Sequence, residues 1–140
     1  MANTGFDWGA WAFALDAGGG NWDADTIADT ASITSNTSIS MDVIAACEVG
    51  VVLVEDNTGA IDGNVTIYVL GDGAGIQDEE ITVGTPWAFK VRPVQNDTVV
   101  VRFSVDPSMY GSFKIALYND SGQTLATSVK YRTATIPVAS

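Results

Sequence analysis

The feature that most constrains the fold of this chain is the alternation of apolar and polar residues in the segment 98–122, TVVVRFSVDPSMYGSFKIALYNDSG. Apolar side chains fall at every second position from 99 to 105 and again from 113 to 117. Successive side chains of a β-strand point to opposite faces of a sheet, so this period predicts two strands, each with one dry and one wet face. An amphipathic helix would need a spacing of three or four. Asn119-Asp120-Ser121-Gly122 then tolerates left-handed backbone and predicts a chain reversal.

Other segments of the chain repeat this signal in shorter form. The segment 49–55, VGVVLVE, is apolar almost throughout and predicts a strand that is buried on both faces. About seven or eight short strands, with no convincing long helix, predict a single antiparallel β-sandwich domain over residues 32–140. The remaining predicted strands are 31–45, 65–70, 81–83, 87–94 and 123–138.

Residues 1–31 differ in composition and predict an N-terminal arm or packing segment. The sequence FDWGAWAFALDAGGGNWDADT is rich in aromatic residues and glycine, and it holds three of the four Trp. Its spacing leaves a short helix and an extended arm both open. Because Trp is a typical anchor of interfaces, we expect the arm either to close an end of its own core or to dock on a neighbouring subunit. The candidate interface residues are Phe6, Trp8, Trp11, Phe13 and Trp22.

The charged residues are few and unevenly distributed. They make up 16% of the chain, and 6 basic against 17 acidic side chains give a net charge of −11. The first 89 residues carry 14 acidic and no basic side chains, which disfavours nucleic-acid binding. The basic residues are predicted to face outward on the sheets, either for solubility and edge protection or as a binding face for an acidic partner, including another copy. This candidate basic face comprises Lys90, Arg92, Arg102, Lys114, Lys130 and Arg132.

Several kinds of catalytic and metal site are missing from the sequence. There is no His, which removes Ser-His-Asp and Cys-His catalysis and most zinc sites. Asp23, Asp25 and Asp29 resemble the opening of a calcium loop, but Ile27 takes a ligand position and the later Gly and Glu are absent. The single Cys47 excludes an internal disulfide and is predicted to be a small buried thiol. We therefore predict no enzyme activity, no metal and no cofactor.

The beginning of the chain shows no secretory signal, because it has neither a basic n-region nor a long apolar segment. No apolar run approaches the ~20 residues that are needed to cross a bilayer. We therefore expect a protein that is made in a cytoplasm and has no membrane partner.

Residues 111–122 resemble the F strand and F–G turn of immunoglobulin domains. That family has a glycine, an aromatic residue two positions later, inward residues at every second position, and a turn that contains Asn and Gly. Here Phe113 stands where the family has Tyr, Ile115 stands where it has a core Cys, and Gly122 lies in the turn. The resemblance implies an Ig-like sandwich without the disulfide. A jelly roll, which shares the pattern of short alternating strands, is the alternative.

In composition the chain also resembles the small all-β accessory proteins of tailed-phage virions, notably capsid decoration proteins. The shared features are one domain, a lone Cys, an acidic composition rich in Gly, Ser and Thr, and an aromatic N-terminal arm. The resemblance implies a homo-oligomeric virion structural protein, made in the host cytoplasm. It would be a capsid decoration or cement subunit that binds other copies of itself and a capsid protein.

Two other functions stay open at this point. A carbohydrate-binding or adhesin module would stack exposed aromatic rings on sugars, with Trp22, Trp87 and Tyr110 as candidates. A tail or neck component of a phage particle would make similar protein contacts at another place in the virion.

Overall fold

Every regular element in the described part of the chain is a β-strand. The computed structural model describes residues 7–14, 20–35, 39–40, 44–56, 58–71, 87–106 and 112–136. Within these residues there is no helix long and apolar enough to cross a membrane. The strands are β1 (Asp7–Trp8), β2 (Ala12–Phe13), β3 (Asp25–Ile27), β4 (Ser32–Thr34), β5 (Ile39–Ser40), β6 (Ala46–Val54), β7 (Asn64–Gly71), β8 (Ala88–Val91), β9 (Thr98–Val105), β10 (Ser112–Asp120) and β11 (Leu125–Thr135).

These strands form two antiparallel sheets that pack on each other, so the predicted antiparallel β-sandwich is confirmed. The six-stranded sheet has the order β1-β11-β6-β9, and β2 and β3 also pair with β11. The five-stranded sheet has the order β4-β10-β7-β8, and β5 also pairs with β10. Early strands thus pair with late ones, and middle strands pair with each other, as in a long hairpin rolled up on itself. This nested pairing across two sheets is the arrangement of a jelly roll.

The Ig-like topology that the sequence predicts does not form. β9 and β10 lie in different sheets, but so do β10 and β11, which would have to be hydrogen-bonded neighbours in an F–G hairpin. The turn itself forms where predicted, directly after Asp120, and Gly122 adopts a φ of 88°. A Cβ at Gly122 would collide with the carboxylate of Asp62, so the position requires glycine. The turn carries the chain from one sheet to the other.

Alternating side chains from both sheets fill the core. The four inward residues of β6, from Cys47 to Leu53, are at most 1% exposed. The outward residues of β6 are half-buried, so the prediction of a strand buried on both faces is wrong. The thiol of Cys47 is buried as predicted, and burial, followed by the charge of Glu48, raises its pKa to about 12. The five-stranded sheet contributes the fully buried Val65, Ile67, Val69, Phe113, Ile115 and Leu117.

The described part of the N-terminal segment is extended and pairs with β11 of the same chain. Its three short strands, from Asp7 to Ile27, run antiparallel to β11. The backbone N–H of Val129 donates to the carbonyl of Trp22 over 3.0 Å and continues the pairing between β2 and β3. The segment therefore forms a broken edge strand of the six-stranded sheet. Phe6 lies outside the described residues.

Other predicted strands appear with different lengths. The Ser- and Thr-rich segment 31–45 provides two short pieces, β4 and β5, on one edge of the five-stranded sheet. The segment 87–94 provides only four strand residues, β8, on the opposite edge. The predicted strand 81–83 lies outside the described residues.

Candidate functional site: an aromatic and cationic patch

The outer face of the six-stranded sheet gathers aromatic and cationic side chains from three parts of the chain: the N-terminal segment, β9 and β11. β6, β9 and β11 alternate between core and outside, and their outward positions come into register at the middle of the sheet. Gly50 of β6, for example, lies between Lys130 of β11 and Arg102 of β9. The N-terminal segment adds its rings from the edge next to β11. We call the following set the aromatic–cationic patch: Trp8, Trp11, Phe13, Arg102, Lys130 and Arg132.

Each cation of the patch lies close to an aromatic ring. The guanidinium carbon of Arg132 is 4.4 Å from the ring centroid of Trp8 and 4.9 Å from that of Trp11. The guanidinium carbon of Arg102 is 5.3 Å from the ring of Trp11. These distances are within the range of cation–π attraction, worth about 0.5–1 kcal/mol at exposed sites. The ring of Trp11 therefore bridges two arginines that come from different strands.

Lys130 makes the same kind of contact nearer the middle of β11. Its Nζ atom is 4.6 Å from the ring centroid of Phe13, which lies opposite Lys130 in the register of β2 and β11. The cross-strand pair holds the ring over the outer face of the sheet. The patch thus contains four cation–ring contacts side by side.

Glu48 binds the two arginines of the patch through its carboxylate. Its Oε1 accepts a hydrogen bond from Arg102 Nε over 2.7 Å and forms an ion pair with Nη2 of the same guanidinium at 2.6 Å. Its Oε2 accepts from Arg132, with 2.9 Å to Nη2 and 3.3 Å to Nε. The hydrogen bonds from Arg132 lower the pKa of Glu48; burial opposes them, and Arg102 reinforces them. One carboxylate thereby orients two guanidinium groups toward the rings.

A shallow depression of about 280 Å³ lies beside Trp11 on this face. A Cβ at Gly50 would lie 3.7 Å from the indole, so the ring rests almost directly on the backbone of β6. Trp8 is 39% exposed, Trp11 is 36% exposed, and Val100 on β9 is 60% exposed. The rings and the valine therefore present apolar surface to solvent within a cationic setting. The depression is lined by Trp11, Gly50, Val52, Val100, Arg102 and Lys130.

The structure brings together only part of the predicted interface residues. Trp8, Trp11 and Phe13 lie in the patch, but Trp22 is 0% exposed, and its Nε1–H donates to Thr127 Oγ1 over 2.9 Å. Trp22 is therefore a core residue, and its predicted role at an interface is wrong for the folded domain. The reason is its position between β2 and β3, where the segment turns a side chain into the sandwich.

The predicted basic face is divided between the two sheets. Arg102, Lys130 and Arg132 belong to the patch. Lys90 on β8 and Lys114 on β10 lie on the five-stranded sheet, and Arg92, which follows β8, donates to the carbonyl of Ile61 over 2.8 Å. The six basic residues thus face outward or toward a loop, but they do not form one surface.

The residues suggested for sugar stacking do not form a site either. Trp22 is buried, and Trp87 is half-buried with its ring centroid 6.4 Å from that of Phe103. Tyr110 lies outside the described residues. In the described part of the chain, no three His, Cys, Asp or Glu side chains are placed to hold a metal ion.

Sequence reasoning missed Glu48, Gly50 and Val100. Each lies in an apolar run, where the alternation marks it as outward but does not show which residues lie beside it. The register of β6 with β9 and β11 decides these neighbours. A carboxylate inside the run ACEVGVVLV was the available signal, because a charge in such a strand needs a partner.

No family model and no curated protein matches this sequence. Among solved structures, a chain from a cryo-EM structure of Broad Bean Stain Virus aligns with a TM-score of 0.41 and 14% identity, over 69% of this chain and 62% of that one. An arabinose-bound MgGH51 α-L-arabinofuranosidase aligns with a TM-score of 0.42 and 8% identity, over 79% of this chain and 17% of that one. This chain spans less than two thirds of either protein. At TM-scores below 0.5, neither likeness carries an argument about function.

Proposed function

We propose that this chain is a virion structural protein, a decoration or cement subunit that binds an assembled capsid shell through the aromatic–cationic patch. The observation that carries the proposal is the exposure of Trp8 and Trp11 on a sheet surface, with arginines held against their rings. Trp and Arg are the residues that most often dominate protein interfaces. The proposed role requires binding and no catalysis.

The construction of the patch favours tight docking. Glu48 and the rings already fix the arginine side chains, so less rotamer freedom is lost when a partner binds. Burial of apolar surface then contributes about 25 cal/mol per Å² before ordering costs. The patch lies on β-strands, and a rigid support keeps its groups in place.

The fold is compatible with this role. Jelly rolls occur in viral capsid domains and in lectin domains alike, and one fold supports many functions. The proposal therefore depends on the patch and on the phage-like composition of the chain, whose net charge is −11.

Co-sedimentation with capsid shells from which this protein has been stripped tests the proposal. Removing residues 1–25 would also remove Trp22 from the core, so point substitutions are cleaner. We expect the double variant Trp8→Ser/Trp11→Ser to lose most shell binding. Val94→Ser, at a 49% exposed apolar residue away from the patch, should bind like the unaltered protein. Unchanged binding of the double variant would contradict docking through the patch.

A carbohydrate-binding module is the second candidate, since the exposed indole of Trp11 borders a depression that also contains Arg102 and Lys130. Aromatic rings stack on sugars, and the two cations would suit an acidic sugar. A glycan array separates the candidates. Saturable binding that is lost in Trp11→Ala would favour the carbohydrate role over the capsid role.

A tail or neck position in a phage particle would use the same patch on a different partner. A cryo-EM reconstruction of the particle decides between these positions, because it shows which protein lies against Trp8 and Trp11. Density for this chain at the tail instead of the shell would move the proposed role there.

A further inference from the structure

The four sheet edges of this sandwich are protected to very different degrees. An exposed edge strand offers unpaired N–H and C=O groups to other strands, and proteins usually protect such edges with short strands, Lys or Pro. β4 and β5 have only three and two residues, and β8 has four, including Lys90, and is followed by Arg92-Pro93. One edge of the six-stranded sheet is formed by β1, β2 and β3, which have only two, two and three residues. β9, with eight residues, forms the remaining edge.

β9 lacks the usual protective devices. It contains no Pro, and among the described residues no strand pairs with its second side. Its one charged residue, Arg102, is held by Glu48 and Trp11 over the outer face of its own sheet. Val100, two positions earlier, is 60% exposed. An edge that is long, apolar and free of bulges is where a further strand adds most readily.

We propose that β9 pairs with β9 of a second copy, antiparallel and about a two-fold axis that passes between the Val101 residues of the two copies. This inference is independent of the partner of the aromatic–cationic patch. Such an isologous contact uses the same edge on both subunits, so the dimer leaves neither β9 edge open. The two six-stranded sheets become one continuous sheet.

The register follows from the faces and from Arg102. Directly opposed residues of an antiparallel pair point to the same face, so outward residues must oppose outward residues. Two registers satisfy this rule and pair most of β9. One is centred on Val101 and places Val100 opposite Arg102 of the second copy. The other is centred on Arg102 and places the two arginines opposite each other, which is destabilising.

The charge of the chain sets the expected salt dependence. Each copy has a net charge of −11, so two copies repel each other at long range. Salt screens this repulsion, with a Debye length of about 10 Å at 0.1 M. We therefore expect dimerisation to strengthen as ionic strength rises.

Sedimentation velocity of the full chain, over a range of concentrations at low and high salt, tests the dimer. Val100→Lys places a lysine opposite the partner copy's Arg102 and should raise the dissociation constant about tenfold or more. Ile136→Lys makes the same charge change at a 71% exposed residue that follows β11 and should dimerise like the unaltered protein. Trp8→Ser, in the patch, should also leave dimerisation unchanged.

A spin-label distance tests the register. Ser104→Cys puts a thiol on an exposed outward position of β9, whereas the native Cys47 is buried and resists labelling. In the Val101-centred register the two labelled positions lie six residues apart along the strands, about 20 Å at ~3.4 Å per residue. The Arg102-centred register would give about 14 Å.

A monomer at all concentrations and salts would overturn the proposal. So would a dimer that Val100→Lys leaves intact, a dimer that Trp8→Ser abolishes, or open-ended filaments in place of dimers. A distance near 14 Å would overturn the register. A salt-strengthened dimer that is weakened by Val100→Lys alone, with a distance near 20 Å, would support both the interface and its register.

Discussion

Two stretches of the N-terminal segment have similar compositions, but their tryptophans differ in burial. Residues 7–13 and 20–27 are both acidic, contain Trp and pair with β11. Trp8 and Trp11 in the first stretch are more than a third exposed and lie on arginines. Trp22 in the second stretch is fully buried.

The difference shows that the neighbours of a tryptophan decide its role. Trp22 points into the sandwich, where Thr127 Oγ1 accepts its Nε1–H and donates in turn to the carbonyl of Asp25 over 2.9 Å. A buried indole needs such an acceptor. Trp8 and Trp11 point to the outer face, where guanidinium groups cover the rings and leave part of their surface in solvent. The first stretch is suited to recognition and the second to stability.

The largest effect should come from Trp22→Ala. Loss of a fully buried indole leaves a cavity and should lower the free energy of unfolding by about 3–5 kcal/mol. Urea denaturation monitored by far-UV circular dichroism measures the loss. Trp22→Phe, which retains most of the ring volume, should lose less. A loss below about 1 kcal/mol in Trp22→Ala would show that the two stretches are equivalent.

The double variant Trp8→Ala/Trp11→Ala should have a smaller effect on stability. It removes three cation–π contacts of about 0.5–1 kcal/mol each at exposed sites, and some of this is recovered by rehydration of the arginines. We expect the free energy of unfolding to fall by about 1–2 kcal/mol. The same urea titration measures it. A loss as large as that of Trp22→Ala would place the patch in the stabilising core.

Glu48→Gln should cost about 0.5–1 kcal/mol at pH 7, because a largely surface ion pair contributes little. The folded pKa of Glu48 lies below its ordinary value of 4.5. The contribution of the Glu48 carboxylate to the free energy of unfolding is therefore present above pH 4.5, and it is lost as the pH falls through the lowered folded pKa. The difference between variant and unaltered protein should shrink between pH 7 and pH 3 in urea titrations. Asp56→Asn, at an exposed carboxylate, is the control, and a difference that grows toward pH 3 would contradict this role.

Gly50→Ala should have the smallest effect. The added methyl group would sit at ordinary contact distance from the ring of Trp11, and replacing Gly in a strand interior offsets the crowding. We expect a change within about 0.5 kcal/mol. Gly50→Leu should instead push the indole away from β6, which a shift in tryptophan emission would detect. Equal emission from both variants would show that Trp11 does not rest on Gly50.

The sequence was sufficient for the long strands β9 and β10 and their faces, but insufficient for the outer face of β6, for the short N-terminal strands and for the neighbours of each strand. The alternation in 98–122 predicted β9, β10 and the turn at Gly122, because period two is a local property of the backbone. The resemblance to an F–G hairpin failed at this same turn. A reversal near Asp120 can join strands in one sheet or in two, and the local residues do not distinguish these outcomes.

The candidate site shows the same limit. The sequence placed Trp8 and Trp11 among candidate interface residues and predicted that Arg102 and Arg132 face outward, but it treated the aromatic and basic residues as separate groups. They meet because β11 runs between the N-terminal segment and β6. Glu48 was not predicted, since its role depends on strands that are distant in the sequence.

By itself the sequence determined that this protein is an all-β chain with a buried thiol and outward basic residues, because apolar periodicity fixes which side of a strand is dry. Only the tertiary structure decided that the sandwich is a jelly roll, that Trp22 belongs to the core, and that aromatic rings and cations from opposite ends of the chain share one face. The physical reason is that strand pairing is long-range. The hydrogen bonds and the buried apolar area that stabilise a pairing depend on the arrangement of all the strands, and not on any single segment.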